Sequence, residues 1–269
     1  MICHHALIWL MCTVIILRRP DHDWPVIIGA NRDEMNNRPW KAPARHWDDR
    51  PDVIAGLDET AGGTWLGVNE DGVVAAVLNR FGTLGPAKDK RSRGELPLEA
   101  LDHADAIDAA QSLAALDGTA YRPFNMVIAD NRDAYWLANR GTGKIEITEI
   151  PEGLSILTAH DLNDTANSAR TRRNLPRFRA APSPNPEADD WFAWQALLAD
   201  TGIEAPDPDH YDMRADAMLV RSNMGFETVS SSLIGLPAIP TSEHELPRRP
   251  VWLFADGQPD SVPFLPVAL

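Results

Sequence analysis

Apolar residues in this chain come in short blocks closed by polar turns, a pattern that predicts strands more often than helices. Thr13-Val-Ile-Ile-Leu17 stops at Arg18-Arg19-Pro20 and reads as a buried strand. Residues 18–24 form the turn, and Pro25-Val-Ile-Ile-Gly-Ala30 returns, ending in the polar tetrad Asn31-Arg32-Asp33-Glu34. Residues 64–68 and 73–78 predict two more strands around Asn69-Glu-Asp-Gly72, closing on Asn79-Arg80. The spacing of Leu98, Leu101, Ile107, Ala110 and Leu113 predicts one helix over 96–116. Strands follow over 125–150, where Asn131-Arg-Asp133 is read as a turn, and over 153–158, which leads into Ala159-His160-Asp161. Helices are expected at 168–178 and 189–199, parted by the proline-rich loop 181–186. The tail gives strand-like pieces at 227–234 and 250–254 around proline-rich turns over 237–250. Strands, then helices, then strands again predict an α+β fold of stacked sheet and helix layers.

With 269 residues, 44% of them hydrophobic, and no break in charge or hydropathy, the chain reads as one domain over residues 11–269. The 39 acidic against 25 basic side chains give a net charge of −14, which argues against nucleic acid as a partner while leaving room for a local basic pocket. Cys3 and Cys12 lie too close together to staple a fold of this size, so a reducing, cytoplasmic setting is expected. The apolar run over 6–17 is shorter than the roughly 18–20 residues that span a bilayer and lacks a basic flank. Neither stable membrane insertion nor secretion is expected. The eight histidines show no metal-ligand spacing, so no metal site is predicted.

Cys12 directly follows Met11, one initiator methionine away from the first position. An N-terminal cysteine has its own base: the free α-amine, with a pKa of roughly 7.7–8.0, can take the thiol's proton near neutral pH. Residues 1–10 are then a mis-assigned start or a leader that must be cut. With Met1 retained, Cys12 has only an amide nitrogen. From position alone, Cys12 is equally readable as a nucleophile or as a small buried apolar side chain.

Four polar residues straight after an apolar strand mark Asn31-Arg32-Asp33-Glu34 as a site, with a solvated turn as the competing reading. Asn79 alone would be a turn former, and Trp65 alone a core anchor. Lys88-Asp-Lys-Arg91 with Arg93, and Arg170-Thr-Arg-Arg173, are read as solvated faces before they are read as sites for propionates or coenzyme A phosphates.

Taken together, Met11-Cys12-Thr-Val, Ala30-Asn-Arg-Asp-Glu34 and Gly62-Gly-Thr-Trp-Leu-Gly67 with the hairpin to Asn79 resemble the NRDE family, that of the transport and Golgi organisation 2 protein. The resemblance runs from Met11 to the C-terminus. It implies an N-terminal-nucleophile-hydrolase-like fold, a four-layer αββα sandwich. Animal members are linked to haem movement and to lipid or acyl-CoA metabolism. A more distant likeness is to the penicillin V acylase and bile salt hydrolase group, on whose pattern Cys12 is the nucleophile, Asp33 holds it or its amine, and Asn79 donates to the oxyanion. A neutral amide aimed at the developing oxyanion stabilises the tetrahedral state, and losing one such donor costs about 2.7–4 kcal/mol. The chain departs from that group at Ala30, where those hydrolases have an arginine, and at Ala159-His160, where a second asparagine is expected. A late arginine is also missing before Ser230, where the chain reads Glu227-Thr228-Val229.

The resulting expectation is a cysteine hydrolase of a non-peptide amide or thioester, with Cys12, Asp33 and Asn79 catalytic. Asn31, Arg32, Glu34, Trp65, Arg80 and His160 would bind a small-molecule substrate, and no cofactor is required. The alternative is a non-catalytic carrier that holds haem or an acyl-CoA in the same cleft. For haem, the axial ligand would be His160, His46 or the Cys12 thiolate.

Overall fold

The central strands of this protein are buried on both faces because both faces are covered. In the computed structural model, which describes residues 12–202, 214–240 and 248–269, β1 (Thr13–Arg18) is buried at every position. Ile15 and Leu17 face one way while Val14 and Ile16 face the other, the period-two alternation of a strand. β1 pairs antiparallel with β2 (Val26–Met35), as the predicted hairpin requires, and Thr13 stands opposite Asn31. The polar tetrad does not end this strand: β2 runs on through it to Met35.

Two antiparallel sheets result. One sheet orders β10 (Gly153–Leu157), β1, β2, β11 (Phe226–Leu236), β12 (Val251–Ala255) and β13 (Leu265–Pro266). The other orders β3 (Trp40–Ala44), β4 (Val53–Asp58), β5 (Leu66–Asn69), β6 (Val74–Asn79), β7 (Phe124–Ala129), β8 (Ala134–Asn139) and β9 (Ile145–Glu149). Val14, Ile16, Val26 and Ile28 of the first sheet meet Ile54, Leu66, Val68, Ala76 and Val127 of the second in the central core. Behind the first sheet, Ile15, Leu17 and Ile27 pack on Leu175 and Phe178 of α3 (Ala169–Ala180) and on Trp194 and Leu198 of α4 (Phe192–Leu198). Behind the second, Val53, Ala75, Met126 and Ile128 pack on α1 (Glu95–Ala100) and α2 (Ala106–Ala114). The layers therefore stack helix, sheet, sheet, helix.

The helix predicted over 96–116 is two helices. Asn69 Nδ2 donates to the carbonyls of Leu101, at 3.0 Å, and His103, at 2.7 Å, and so takes acceptors that a continuous helix would use internally. The chain restarts where the Ala106 amide donates to Asp130 Oδ2 at 2.9 Å. The residue 131–133 turn joins β7 to β8 as expected. β3 and β4, which the hydrophobic pattern does not single out, extend the second sheet beside the tetrad. The leader reading for residues 1–10, Met11, and part of the proline-rich 237–250 segment lie outside the described residues.

Candidate active site

Strand alternation divides the tetrad between two faces of β2. The Asn31 and Asp33 side chains bond to the α3 and α4 side of the sheet, Arg32 and Glu34 face a cleft of about 840 Å³, and Asp33 also lines that cleft. Cys12, at the head of β1, lines this cleft together with Trp65, Asn79, Arg38, Asp58 and residues from the 82–94 loop. Its thiol donates to the backbone carbonyl of Asp33 at 3.6 Å. Burial, reinforced by the Asp33 charge, pushes the thiol up to about 11. Asn79 ends β6, and among the described residues its amide has no hydrogen-bond partner, so it is available to a ligand.

The Asp33 carboxylate lies near Cys12 and is fully committed. Arg170 from α3 pairs with it at 3.0 Å and also donates to Thr13 Oγ1 at 2.7 Å, while Thr228 Oγ1 donates to Asp33 at 2.6 Å. Burial pushes the Asp33 carboxyl upward, against the pull of Arg170 and the Thr228 hydrogen bond. Thr228 therefore occupies the place where a late arginine was sought, and the arginine comes from α3 instead. Arg170 is not on a solvated face: only Ser168, capping α3 by accepting from Thr171 N–H at 3.1 Å, hinted that this segment was a helix start aimed at the sheet.

Arg32 is held differently. Its guanidinium carbon sits 4.0 Å from the Trp65 ring centroid and 5.6 Å from that of Trp40, and the two indoles meet edge to face. Burial lowers the Arg32 pKa, opposed by Glu34 and Cys12. Trp65 fits because Gly56 stands under it, where a Cβ would lie 2.2 Å from the ring. Gly63 lets two loops touch: a Cβ there would lie 2.4 Å from the Gly94 backbone, and Thr64 N–H donates to Gly94 O at 2.8 Å. Two glycines and a tryptophan thus set the cleft wall.

Three expected binding residues are elsewhere. The Asn31 amide donates to the carbonyls of Leu198, at 2.9 Å, and Met218, at 3.0 Å, and accepts from Ser231 Oγ, which ties β2 to the helix side. Arg80 donates to Asn125 Oδ1 and Asp161 Oδ1, each at 2.6 Å, and does not line the cleft. His160 stacks on Phe81 with centroids 5.5 Å apart, also off the cleft, and half-buried His46 contacts the Ala42 carbonyl. Lys90 and Arg91 are exposed, as the solvated-face reading has them, and line the cleft rim together with half-buried Arg93. Arg93, donating to Thr83 O and Pro123 O at 3.0 Å, is pushed down to about 10 by burial and by nearby Arg122. Among the described residues, no group of three His, Cys, Asp or Glu side chains is placed to hold a metal, and no helix is long and apolar enough to cross a membrane.

The sequence matches the profile described as Transport and Golgi organisation 2 over residues 11–234. Curated relatives called transport and Golgi organisation 2 homologues include those of Mus musculus, 37% identical, and Homo sapiens, 36% identical, over 111 residues. Each match spans 39% of this chain and only 38% of the relative's length. Among solved structures, the Caenorhabditis elegans N-acylethanolamine-hydrolyzing acid amidase ortholog superposes with a TM-score of 0.54 at 14% identity, covering 86% of this chain and 95% of that one. That likeness shows the fold, the αββα sandwich of the N-terminal nucleophile hydrolases.

Proposed function

This chain belongs to the Transport and Golgi organisation 2 family, and from that premise we propose that it is a cysteine N-terminal-nucleophile hydrolase of a non-peptide amide or thioester. The observation that carries the reading is Cys12 at the head of β1, its thiol opening on a large cleft that Asn79 also lines. The fold neighbour is named for hydrolysing N-acylethanolamines, which are amides.

In this reading the chain begins at Cys12. The free α-amine takes the thiol's proton, and the sulfur adds to the substrate carbonyl. Asn79 Nδ2 and nearby backbone N–H groups hold the oxyanion. The tetrahedral species collapses to a thioester on Cys12 as the C–N or C–S bond breaks, and the departing amine or thiol leaves with the amine's proton. Water then adds to the thioester, the acid departs, and the Cys12 thiol is restored. Asp33, anchored by Arg170 and Thr228, orients the strand heads that carry nucleophile and amine.

One observation favours a second reading. Burial and the Asp33 charge push the Cys12 thiol up to about 11, and with residues ahead of it Cys12 has no α-amine to take its proton, which suits a binding cleft without turnover. Haem or an acyl-CoA would be the cargo, and of the ligands considered for haem only the Cys12 sulfur lines the cleft. Intact mass and N-terminal sequence of the protein made from its native start region address the first requirement, a chain beginning at Cys12. Cys12→Ala is expected to abolish hydrolysis across a panel of small amides and thioesters while leaving acyl-CoA affinity within about threefold, and to lower haem affinity where the sulfur ligates the iron. Turnover by Cys12→Ala equal to wild type overturns the hydrolase reading.

A further inference from the structure

The cleft looks basic, yet its cations are mostly spent on the protein itself. Arg38 is held by Asp58 Oδ2 at 2.7 Å, Arg91 by Glu95 at 2.6 Å and Glu99 at 3.1 Å, and Lys90 by the Thr119 carbonyl. Arg93 and Arg122 are consumed by backbone carbonyls of the loop they brace, Arg122 by Leu84 O at 2.7 Å and Gly85 O at 3.0 Å. These groups shape the rim rather than await a ligand.

Arg32 is the exception. It is only 6% exposed, no carboxylate lies within ion-pair distance among the described residues, and its Nη1 is buried without a hydrogen-bond partner. Leaving a charged donor both buried and unsatisfied is unfavourable, and an arriving anion would relieve it. Glu34, on the same face of β2, is turned to the Met35 N–H at 2.8 Å and towards Arg38 at 3.8 Å. The tryptophans fix the guanidinium plane without occupying its N–H edge, the arrangement that suits two-point contact with a planar or tetrahedral anion. Beside it, a recess of about 20 Å³ joins Arg32, Cys12, Ser230 and Ser232, with Ser230 directly opposite Arg32 in the β2–β11 register.

We infer that Arg32 is an anion subsite: the molecule acted on at Cys12 carries a carboxylate or phosphate that docks on the Arg32 guanidinium, within a few bonds of the group facing the thiol. The inference deepens the hydrolase reading by naming its substrate as anionic, and it rests on that reading only for the word substrate.

Two alkylating reagents of nearly equal size test it without turnover. Rates of Cys12 modification by iodoacetate and iodoacetamide are read by peptide mass spectrometry, which separates Cys12 from Cys3. In wild type the iodoacetate-to-iodoacetamide ratio is expected to exceed that of free cysteine by about tenfold or more. Arg32→Met should bring the ratio to the free-cysteine value, and Arg32→Lys should retain part of the excess. Removing Arg32 also weakens the thiolate and slows both reagents, so the ratio is the readout. Inorganic phosphate should protect wild-type Cys12 from iodoacetamide saturably, which keeps the test open if Arg32→Met fails to fold. A wild-type ratio equal to free cysteine, or one unchanged in Arg32→Met, overturns the subsite, as does absence of protection by phosphate. A charge preference in a protein that hydrolyses none of the amide and thioester panel leaves the subsite standing and removes the hydrolase reading.

Discussion

Arg32 and Asp33 are neighbours in sequence, both charged and both buried, and they live in opposite conditions. Asp33, on the helix side of β2, has an arginine and a threonine hydroxyl on its two oxygens. Arg32, on the cleft side, has two indole rings and an unsatisfied nitrogen. A buried charge that the fold satisfies is part of the scaffold, whereas one that it supports but does not satisfy is positioned for something else. The same division sorts their neighbours, since Asn31 shares the structural face with Asp33 and Glu34 shares the cleft with Arg32.

The largest effect expected comes from breaking the satisfied side. Arg170→Met leaves the Asp33 carboxylate buried against Thr228 alone, and Asp33→Asn removes the carboxylate charge that pairs with Arg170. Each should cost about 3–5 kcal/mol in urea unfolding, and the double variant should cost clearly less than the sum. Arg32→Met removes a cation that Glu34 and Asp58 compensate only from beyond ion-pair distance, so the loss of its indole contacts, about 0.5–2 kcal/mol, is largely offset by release from the desolvation penalty. Equal destabilisation by Arg170→Met and Arg32→Met would erase the distinction between the two sides.

Much of this was legible in the sequence. Short apolar blocks gave the antiparallel hairpins, and the resemblance carried by Cys12, the tetrad and the Gly62–Gly67 motif implied the sandwich. What the pattern could not supply was depth. Asn31 and Arg32 look alike as polar residues after an apolar run, and only the register with β1 and β11 sends one to α4 and the other to Trp65. Arg170 was hidden for the reverse reason: in a run of arginines on a helix it reads as solvated, and the partner that buries it is on a strand far away in sequence. Arg80 and His160 follow strand ends, as a site residue might, but Asn125 and Asp161 hold the first and Phe81 stacks on the second, both half-buried and off the cleft.

A smaller effect, on the cleft side alone, comes from Gly56→Ala. The new Cβ would lie 2.2 Å from the Trp65 ring, so the indole must shift, at about 1–3 kcal/mol of overpacking. The satisfied side does not touch Gly56 and should be unaffected. The expected signature is therefore modest destabilisation together with a reduced iodoacetate preference at Cys12, because the platform under Arg32 has moved. Destabilisation with the charge preference intact would mean that Trp65 does not fix the guanidinium.

The smallest effect tests how firmly the helix side is tied to the sheet. Ser168 caps α3 by accepting from the Thr171 N–H and also accepts from the Thr171 hydroxyl at 2.9 Å, two residues ahead of the arginine that reaches Asp33. Ser168→Ala removes the cap acceptor and should cost about 1 kcal/mol, within the 0.5–2 kcal/mol range of such caps. If α3 presents Arg170 as a rigid helix, the cost should add to that of Gly56→Ala, since the two positions lie on opposite sides of the first sheet and share no partner. A double variant that departs from additivity by more than about 0.5 kcal/mol would instead couple the helix layer to the cleft through β2, with Arg32 and Asp33 as the adjacent residues that carry it.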